Sequence, residues 1–230
     1  GAALFDAAFN TLCKSDSTPM HIGSLPGYLR GIERTIPLHA WKPGDVVLHN
    51  HPYLGASHSP DIGVVMPVFF EGALVGFSAN TAHHVDIGAA TPGLVIDIPD
   101  VFAEGMLLNA VKLHDAGVRN EAMWAHIRGN TRVPALVMGD LEAQIAAAEL
   151  GVRRFQELHA TYGRATVEQA CPATASRSTR PAPRPRCPRP STCPSTARPR
   201  SPATSPSGRC CSTPTPTRTP SRRTRAASAP

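Results

Sequence analysis

The segment from Gly44 to Gly88 reads GDVVLHNHPYLGASHSPDIGVVMPVFFEGALVGFSANTAHHVDIG. Two polar segments rich in histidine and aspartate, Asn50–Asp61 and His83–Asp86, border the apolar stretch between them. Imidazole nitrogens and carboxylate oxygens are the donors that a divalent metal or an acid–base site uses. The segment therefore predicts a functional site at the ends of two apolar strands.

The apolar stretch predicts a β-hairpin. Ile62–Phe70 and Ala73–Ala79 are the two strands, and Glu71 with Gly72 forms the turn between them. In antiparallel pairing the second strand returns to the level at which the first strand began. The second polar segment is therefore expected beside the first.

Further hairpins and helices are predicted on either side of this hairpin. Ser24 is expected to cap a helix, because leucine, tyrosine and isoleucine recur after it at helical spacing. The predicted elements are a hairpin over residues 3–14, helices beginning after Ser24 and at Asn120, a second hairpin over Met106–Gly117 and a long helix over Pro134–Tyr162. Apolar residues from Leu141 to Tyr162 recur every three or four positions and are expected to form one face of the long helix. This order, without alternating βαβ units, indicates an α+β (mixed α/β) fold with antiparallel β-hairpins and a long C-terminal helix.

Composition divides the chain into a partial domain over residues 1–165 and a Pro/Arg/Ser/Thr-rich, disordered tail over residues 166–230. From Cys171 to Pro230 only Ala, Cys, Gly, Pro, Arg, Ser and Thr occur, so few apolar side chains are available for a core. This part holds 12 of the 23 Lys and Arg and none of the 17 Asp and Glu. A GC-rich gene read out of frame yields such an alphabet, and we favour that frameshifted tail over a genuine basic arm for nucleic acid.

Cysteine content and hydropathy indicate the cellular environment of the protein. Five of the six cysteines lie in the tail, and Cys13 alone in the body favours a reducing, cytoplasmic setting. No apolar run reaches about 18 residues, so no membrane span is predicted. The chain begins with Gly1 rather than Met and is interpreted as an internal fragment. Neither a Walker-type phosphate loop nor a GxGxxG motif occurs.

The strongest candidate for a site is a set of three ligands. His58 and Asp61 are three residues apart in a loop, and His83 follows after the hairpin. Two imidazoles and one carboxylate leave positions open for water or substrate, which is typical of a catalytic divalent site. The alternative is that these are loop histidines making ordinary hydrogen bonds, because His-x-x-Asp is short and common.

Seven other polar residues are candidates for surrounding the ligands or binding substrate: His84, Asp86, His21, Asn50, Tyr53, Asp140 and Gln144. Asn50 and Tyr53 also fit an ordinary turn, and Asp140 and Gln144 also fit a solvated helix face. Arg128 and Arg132 are either surface residues or partners for a carboxylate or phosphate.

Several motifs, taken together and in order, resemble the hydantoinase B/oxoprolinase family over about residues 1–165. The matching motifs are Ala3-Leu4-Phe5-Asp6, His21–Gly27, Pro43–Val46, Asn50–Gly55, His58–Asp61, His83–Gly88, Thr91–Gly93, Glu104-Gly105 and Gly139–Ile145. The family includes the B-type chain of N-methylhydantoinase, the second half of 5-oxoprolinase and the large chain of acetone-type carboxylases. A departure is His51, where the family more often has Asp.

The resemblance implies a hydrolase subunit that opens a cyclic amide such as a hydantoin or 5-oxoproline. It implies a hetero-oligomer with a hydantoinase A-type subunit that uses the ATP. By motif, His58, Asp61 and His83 would hold a divalent metal, with Mn, Zn and Fe all open. Family members exceed twice the length of this body, so the chain is expected to be an N- and C-terminally truncated fragment that need not be active alone.

Three alternatives stay open. The first is ATP-dependent carboxylation of a ketone by the same scaffold. The second is a nucleic-acid binder that acts through the basic tail, which the out-of-frame interpretation disfavours. The third is an inactive product of a sequence error.

Overall fold

The computed structural model describes residues 1–93 and 97–178. The predictions of an out-of-frame tail and of a basic arm concern mainly residues 179–230, which lie outside the described residues. The strands are β1 (Ala2–Asp6), β2 (Thr11–Lys14), β3 (Val46–His49), β4 (Asp61–Phe70), β5 (Ala73–His83), β6 (Val111–Asp115) and β7 (Val118–Arg119). The helices are α1 (Pro19–Glu33), α2 (Glu121–Gly129), α3 (Pro134–Tyr162) and α4 (Arg164–Ser178).

The strands form one antiparallel sheet in the order β2-β1-β5-β4-β3-β6-β7. The predicted hairpin is its centre, and Asp61 at the start of β4 pairs with His83 at the end of β5. Glu71 and Gly72 in the turn have φ values of 48° and 78°, and two positive φ angles match the twist of the flanking strands. The prediction of a mixed α/β fold with antiparallel hairpins is confirmed.

Helices cover both faces of the sheet, which explains why β4 is apolar almost without interruption. Ile62 and Val64 belong to a core that includes Trp124 of α2 and Leu141 of α3. Val65, from the other face of β4, belongs to a second core formed with α1. A site at the end of β4 is therefore held between two packed layers.

Helix α1 begins earlier than the sequence predicted. Its first residue is Pro19, after the capping position Thr18, because proline fits the first turn of a helix. Ser24 lies inside the helix and its hydroxyl donates to the carbonyl oxygen of His21 at 3.0 Å, so the prediction of a cap at Ser24 is wrong. The earlier start places His21 on the helix rather than in a loop.

A close backbone contact brings α1 against the loop that precedes β4. Gly55 has a φ of 109°, and a Cβ atom on it would lie 2.1 Å from the carbonyl oxygen of Gly27. Only glycine combines this conformation with this approach. The contact holds the loop beside α1 and thereby brings the first polar segment near His21.

The C-terminal elements follow the sequence prediction, with three differences. Helix α2 is capped by Asn120, and α3 has the predicted bounds. The second hairpin is shorter than expected, since β6 begins at Val111, and α4 runs across residue 165 with Val167 packed on a cluster that includes Phe155. Tyr162, expected on the apolar face of α3, is 62% exposed. Within residues 1–93 and 97–178, no helix has the length and apolar character needed to cross a membrane.

Candidate metal centre

His58, Asp61 and His83 converge at one end of the β4–β5 hairpin, and we call them the ligand cluster. Oδ1 of Asp61 lies 2.8 Å from Nε2 of His58 and 3.2 Å from Nδ1 of His83. The two ring nitrogens are 3.2 Å apart. Asp61 is fully buried, whereas the side chains of His58 and His83 are 22% and 33% exposed, so the cluster is open to solvent on the imidazole side.

The second oxygen of Asp61 is held by other groups. The hydroxyl of Ser57 donates to Oδ2 at 2.5 Å, and Nε2 of His21 lies 3.3 Å from the same oxygen. Burial alone would raise the pKa of Asp61, but hydrogen bonds from Ser57 and His58 and the charges of His58 and His21 lower it below the usual value. Asp61 is therefore ionised at neutral pH, with Oδ1 directed at the two imidazoles.

The backbone of the cluster is fixed from α1 and β5. The hydroxyl of Tyr28 donates to the carbonyl oxygen of Asp61 at 2.8 Å, and Thr81 Oγ1 donates to the Tyr28 hydroxyl at 3.3 Å. The ring of Tyr28 lies where a side chain on Gly63 would be, so glycine is required at that position. These contacts explain why the start of β4 has a defined position relative to α1.

The spacing of the cluster fits a metal ion. The three potential ligand atoms all lie within 4.8 Å of one another. A cation bound about 2.0–2.2 Å from each atom in tetrahedral coordination separates them by about 3.3–3.6 Å. The donor set of two imidazoles and one carboxylate suits Zn, Fe or Mn and leaves positions open.

Asn50 and Tyr53 precede β4 in the same segment, but Asn50 is buried and Tyr53 is exposed. Asn50 is fully buried and binds only backbone: its amide donates to Ser59 O and Met106 O, and its Oδ1 accepts from Leu108 N. This residue ties the loop before β4 to the chain before β6. Tyr53 is 78% exposed and its ring lies 6.0 Å from the ring of His51.

His84 and Gln144 meet on the opposite face of the sheet, where α3 packs. The amide nitrogen of Gln144 donates to Ile62 O at 3.0 Å and to Asn80 Oδ1 at 2.9 Å, so its Oε1 accepts from Nε2 of His84 at 2.7 Å. Burial lowers the pKa of His84, and the half-buried Asp140 raises it in part. Gln144 is therefore a bridge between helix and sheet rather than part of a solvated helix face.

Asp86 joins the end of the hairpin to the junction of α2 and α3. Its carboxylate accepts from the backbone nitrogen and the guanidinium of Arg132, the latter at 2.8 Å, and from Thr131 and Gly88. Burial would raise the pKa of Asp86, but the hydrogen bonds from Arg132, Gly88 and Thr131 lower it. Both Asp86 and Arg132 are thus engaged with each other in this structure.

Three residues around the cluster were not found from the sequence. Ser57 is four residues before Asp61, but no pattern marks a loop serine as a carboxylate partner. Tyr28 was predicted only as one of the residues at helical spacing after Ser24, although a buried tyrosine hydroxyl needs a hydrogen-bond partner. Glu104 accepts from the backbone nitrogen of Ser59 at 2.9 Å and so supports the loop that carries His58.

Comparison with known proteins identifies a matching family and several proteins of similar sequence. The family model described as Hydantoinase B/oxoprolinase matches residues 1–184. A protein assigned as the B-type chain of a D-/L-hydantoinase, from Pseudomonas sp. (strain NS671), is 46% identical over 175 residues, which are 74% of this chain and 30% of that protein. A 5-oxoprolinase of Dictyostelium discoideum is 35% identical over 162 residues, covering 70% of this chain and 13% of that protein.

A solved structure agrees with these matches. The crystal structure of an ATP-dependent caprolactamase from Pseudomonas jessenii superposes with a TM-score of 0.69 at 32% identity, covering 76% of this chain and 30% of that chain. The present chain thus spans about 30% of the length of the hydantoinase chain and of the caprolactamase chain that it matches. Sequence and fold agree over the part that carries the ligand cluster, and the chain belongs to the hydantoinase B/oxoprolinase family.

Proposed function

We propose that the chain is the metal-holding part of a B-type subunit in an ATP-coupled hydrolase that opens a cyclic amide. The observation that carries the proposal is the convergence of His58 Nε2, Asp61 Oδ1 and His83 Nδ1 in a member of this family. Two imidazoles and one ionised carboxylate would hold one divalent cation. When bound, such a cation polarises a carbonyl or lowers the pKa of a bound water.

The residues around the cluster orient these ligands. Ser57 and His21 occupy Oδ2 of Asp61, which leaves Oδ1 for the cation. Tyr28 holds the backbone of Asp61, and Glu104 holds the loop that carries His58 through Ser59. Because outer hydrogen bonds fix the direction of a ligand atom, these groups position the site without touching the substrate.

The substrate class rests on the relatives. They are named for hydantoin, 5-oxoproline and caprolactam, and each of these rings contains an amide bond. The caprolactamase is described as ATP-dependent, and two of the relatives are named as subunits. We therefore propose a hetero-oligomer in which a hydantoinase A-type subunit uses the ATP.

Metal content tests the site directly. The purified chain, equilibrated with Mn, Zn or Fe(II) and then freed of excess ion, is expected to retain about one ion per chain by elemental analysis. His58→Ala and His83→Ala are expected to lose it, whereas His126→Ala, an exposed histidine on α2, is expected to keep it. Equal retention in all four proteins would contradict the ligand assignment.

The reaction is tested in the complex with an A-type subunit. ATP hydrolysis stimulated by a hydantoin, 5-oxoproline or caprolactam supports the proposed hydrolase. Stimulation by a ketone together with bicarbonate, and by none of the cyclic amides, would instead support the carboxylase branch and overturn the proposal. Loss of the stimulated rate in Asp61→Asn, with the complex still assembled, would connect the activity to the ligand cluster.

A further inference from the structure

Helix α3 carries a second apolar face that the described part of the chain leaves uncovered. We call it the outer face, and its residues are Leu136, Gly139, Ala143, Ala147, Leu150, Leu158 and Tyr162. They recur every three or four residues up to Leu150 and resume at Leu158, so they share one side of the helix. The exposed Arg154, which pairs with Glu157, occupies the position between Leu150 and Leu158. We propose that this face is the surface on which the rest of a family-length B-type chain packs.

The outer face is exposed at its large residues. Leu136, Leu150 and Tyr162 are 53%, 45% and 62% exposed. A Cβ atom added to Gly139 would meet no atom within 4 Å, so the space above the helix is open there. Several large apolar residues exposed on one side of a helix are typical of an interaction site rather than of a solvated helix.

Packing of α3 on the sheet does not explain why the outer face is apolar. The side of α3 that packs on the sheet carries Leu141, Ile145 and Ala148, all buried, and a separate flank carries the exposed residues Glu149 and Arg153. A surface helix needs one apolar stripe and is polar elsewhere. Helix α3 has a buried stripe, a polar flank and a further apolar stripe, which is the pattern of a helix covered on two sides.

The outer face continues into an apolar groove. Leu158 and Tyr162 form one wall of a cavity of about 290 Å³, and Leu12 of β2 and Val167 of α4 also line it. The uncovered apolar residues therefore lie along α3 on both sides of Arg154, and those after it border the groove between α3, β2 and α4. A surface of this length fits a folded protein segment better than a small ligand.

The composition of the chain's own C-terminal segment argues against that segment as the occupant. Residues 179–230 contain no Leu, Ile, Val, Met, Phe, Tyr or Trp. The relatives do have further chain, because the matched segment is only 30% of the Pseudomonas hydantoinase chain and 30% of the caprolactamase chain. The occupant is therefore the part of a B-type chain that lies outside the matched segment.

Thiol labelling of two proteins tests this inference. Leu150→Cys in the 230-residue chain is expected to react rapidly with a maleimide reagent. A cysteine at the position aligned with Leu150 in the intact beta chain of the Pseudomonas jessenii caprolactamase is expected to react at least about tenfold more slowly, because burial restricts access of the reagent. Peptide-resolved mass spectrometry separates this thiol from the other cysteines. Glu149→Cys and its aligned counterpart, on the polar flank, are expected to react rapidly in both proteins.

Each other outcome overturns the proposal. Equal, rapid labelling at the Leu150 position in both proteins would show that the face stays in solvent in a complete B-type chain. Slow labelling of the 230-residue chain that becomes rapid on dilution would show that a second copy covers the face. Slow labelling of that chain at every concentration would show that the chain covers the face itself.

Discussion

Asp61 has two oxygens in different surroundings, and this division organises the ligand cluster. Oδ1 faces His58 and His83, whereas Oδ2 accepts from Ser57 and lies beside His21. A carboxylate with one oxygen fixed by a neutral hydroxyl keeps its charge while its other oxygen is presented to a cation. The affinity of the site is therefore expected to depend on a residue that does not itself ligate.

Ser57→Ala tests that dependence. The substitution removes the 2.5 Å hydrogen bond to Oδ2 and leaves the three ligands in place. Loss of such an outer hydrogen bond is expected to weaken metal binding by roughly 10- to 100-fold, measured by competition with a chromophoric chelator. Ser59→Ala is the matched control, because the Ser59 hydroxyl is buried with no hydrogen-bond partner in the described part of the chain. Unchanged affinity in Ser57→Ala would contradict the positioning role.

His49 is a buried histidine whose ring lies between two backbone groups. Ala110 N–H donates to its Nδ1, so its Nε2 carries the proton and donates to Leu54 O at 3.1 Å. Burial lowers the pKa of His49 to about 4 from the usual 6.5. Between these values the unfolded chain binds the extra proton and the folded chain does not.

Protonation of His49 is therefore expected to destabilise the fold in acid. The stabilising contribution of neutral His49 is fully present above pH 6.5 and is lost as the pH falls towards 4. The total loss in the free energy of unfolding is on the order of 3 kcal/mol. Urea denaturation of the wild type and of His49→Gln at several pH values measures the difference in slope. The comparison is needed because burial also lowers the pKa of His84 and of His114, which contribute in the same direction. Parallel pH profiles of the two proteins would contradict the assignment.

At the scale of elements, Gln144 joins α3 to the central hairpin. Its side chain satisfies Ile62 O on β4, Asn80 on β5 and His84 just after it, and all of these residues are buried. Hydrogen bonds inside an otherwise apolar contact fix the position of the helix along the sheet. Removing it leaves several polar groups without partners in a buried layer.

Gln144→Leu is expected to destabilise the protein despite the larger apolar surface. Each buried group left unsatisfied costs about 1–3 kcal/mol, and we expect a total loss of about 3 kcal/mol by urea denaturation. Glu142→Leu, an exposed position on the same helix, is expected to change stability by less than about 0.5 kcal/mol. Equal effects of the two substitutions would show that the bridge contributes nothing specific.

Across the whole molecule, contacts that are local in sequence were predictable and distant side-chain contacts were not. The β4–β5 hairpin, the Asn120 cap and the bounds of α3 follow from periodicity and turn chemistry. The pairing of Asp86 with Arg132 does not, because it depends on how the loop after β5 docks on the α2–α3 junction. The convergence of the ligand cluster lies between these cases, since hairpin register brings the backbones together but side-chain direction depends on packing against α1.

That dependence on the folded hairpin predicts that the proposed metal binding is coupled to the stability of the whole molecule. Asp61 and His83 become neighbours only when β4 pairs with β5, so the unfolded chain does not present the cluster. An ion at about 100 times its dissociation constant is therefore expected to stabilise the fold by about 2.7 kcal/mol. This corresponds to a rise in melting temperature of about 5–10 °C, measured by calorimetry with and without chelator. Asp61→Asn is expected to abolish the rise, whereas Asp16→Asn at an exposed position retains it. An equal rise in both variants would mean that the ion binds elsewhere, because only Asp61→Asn removes a carboxylate from the ligand cluster.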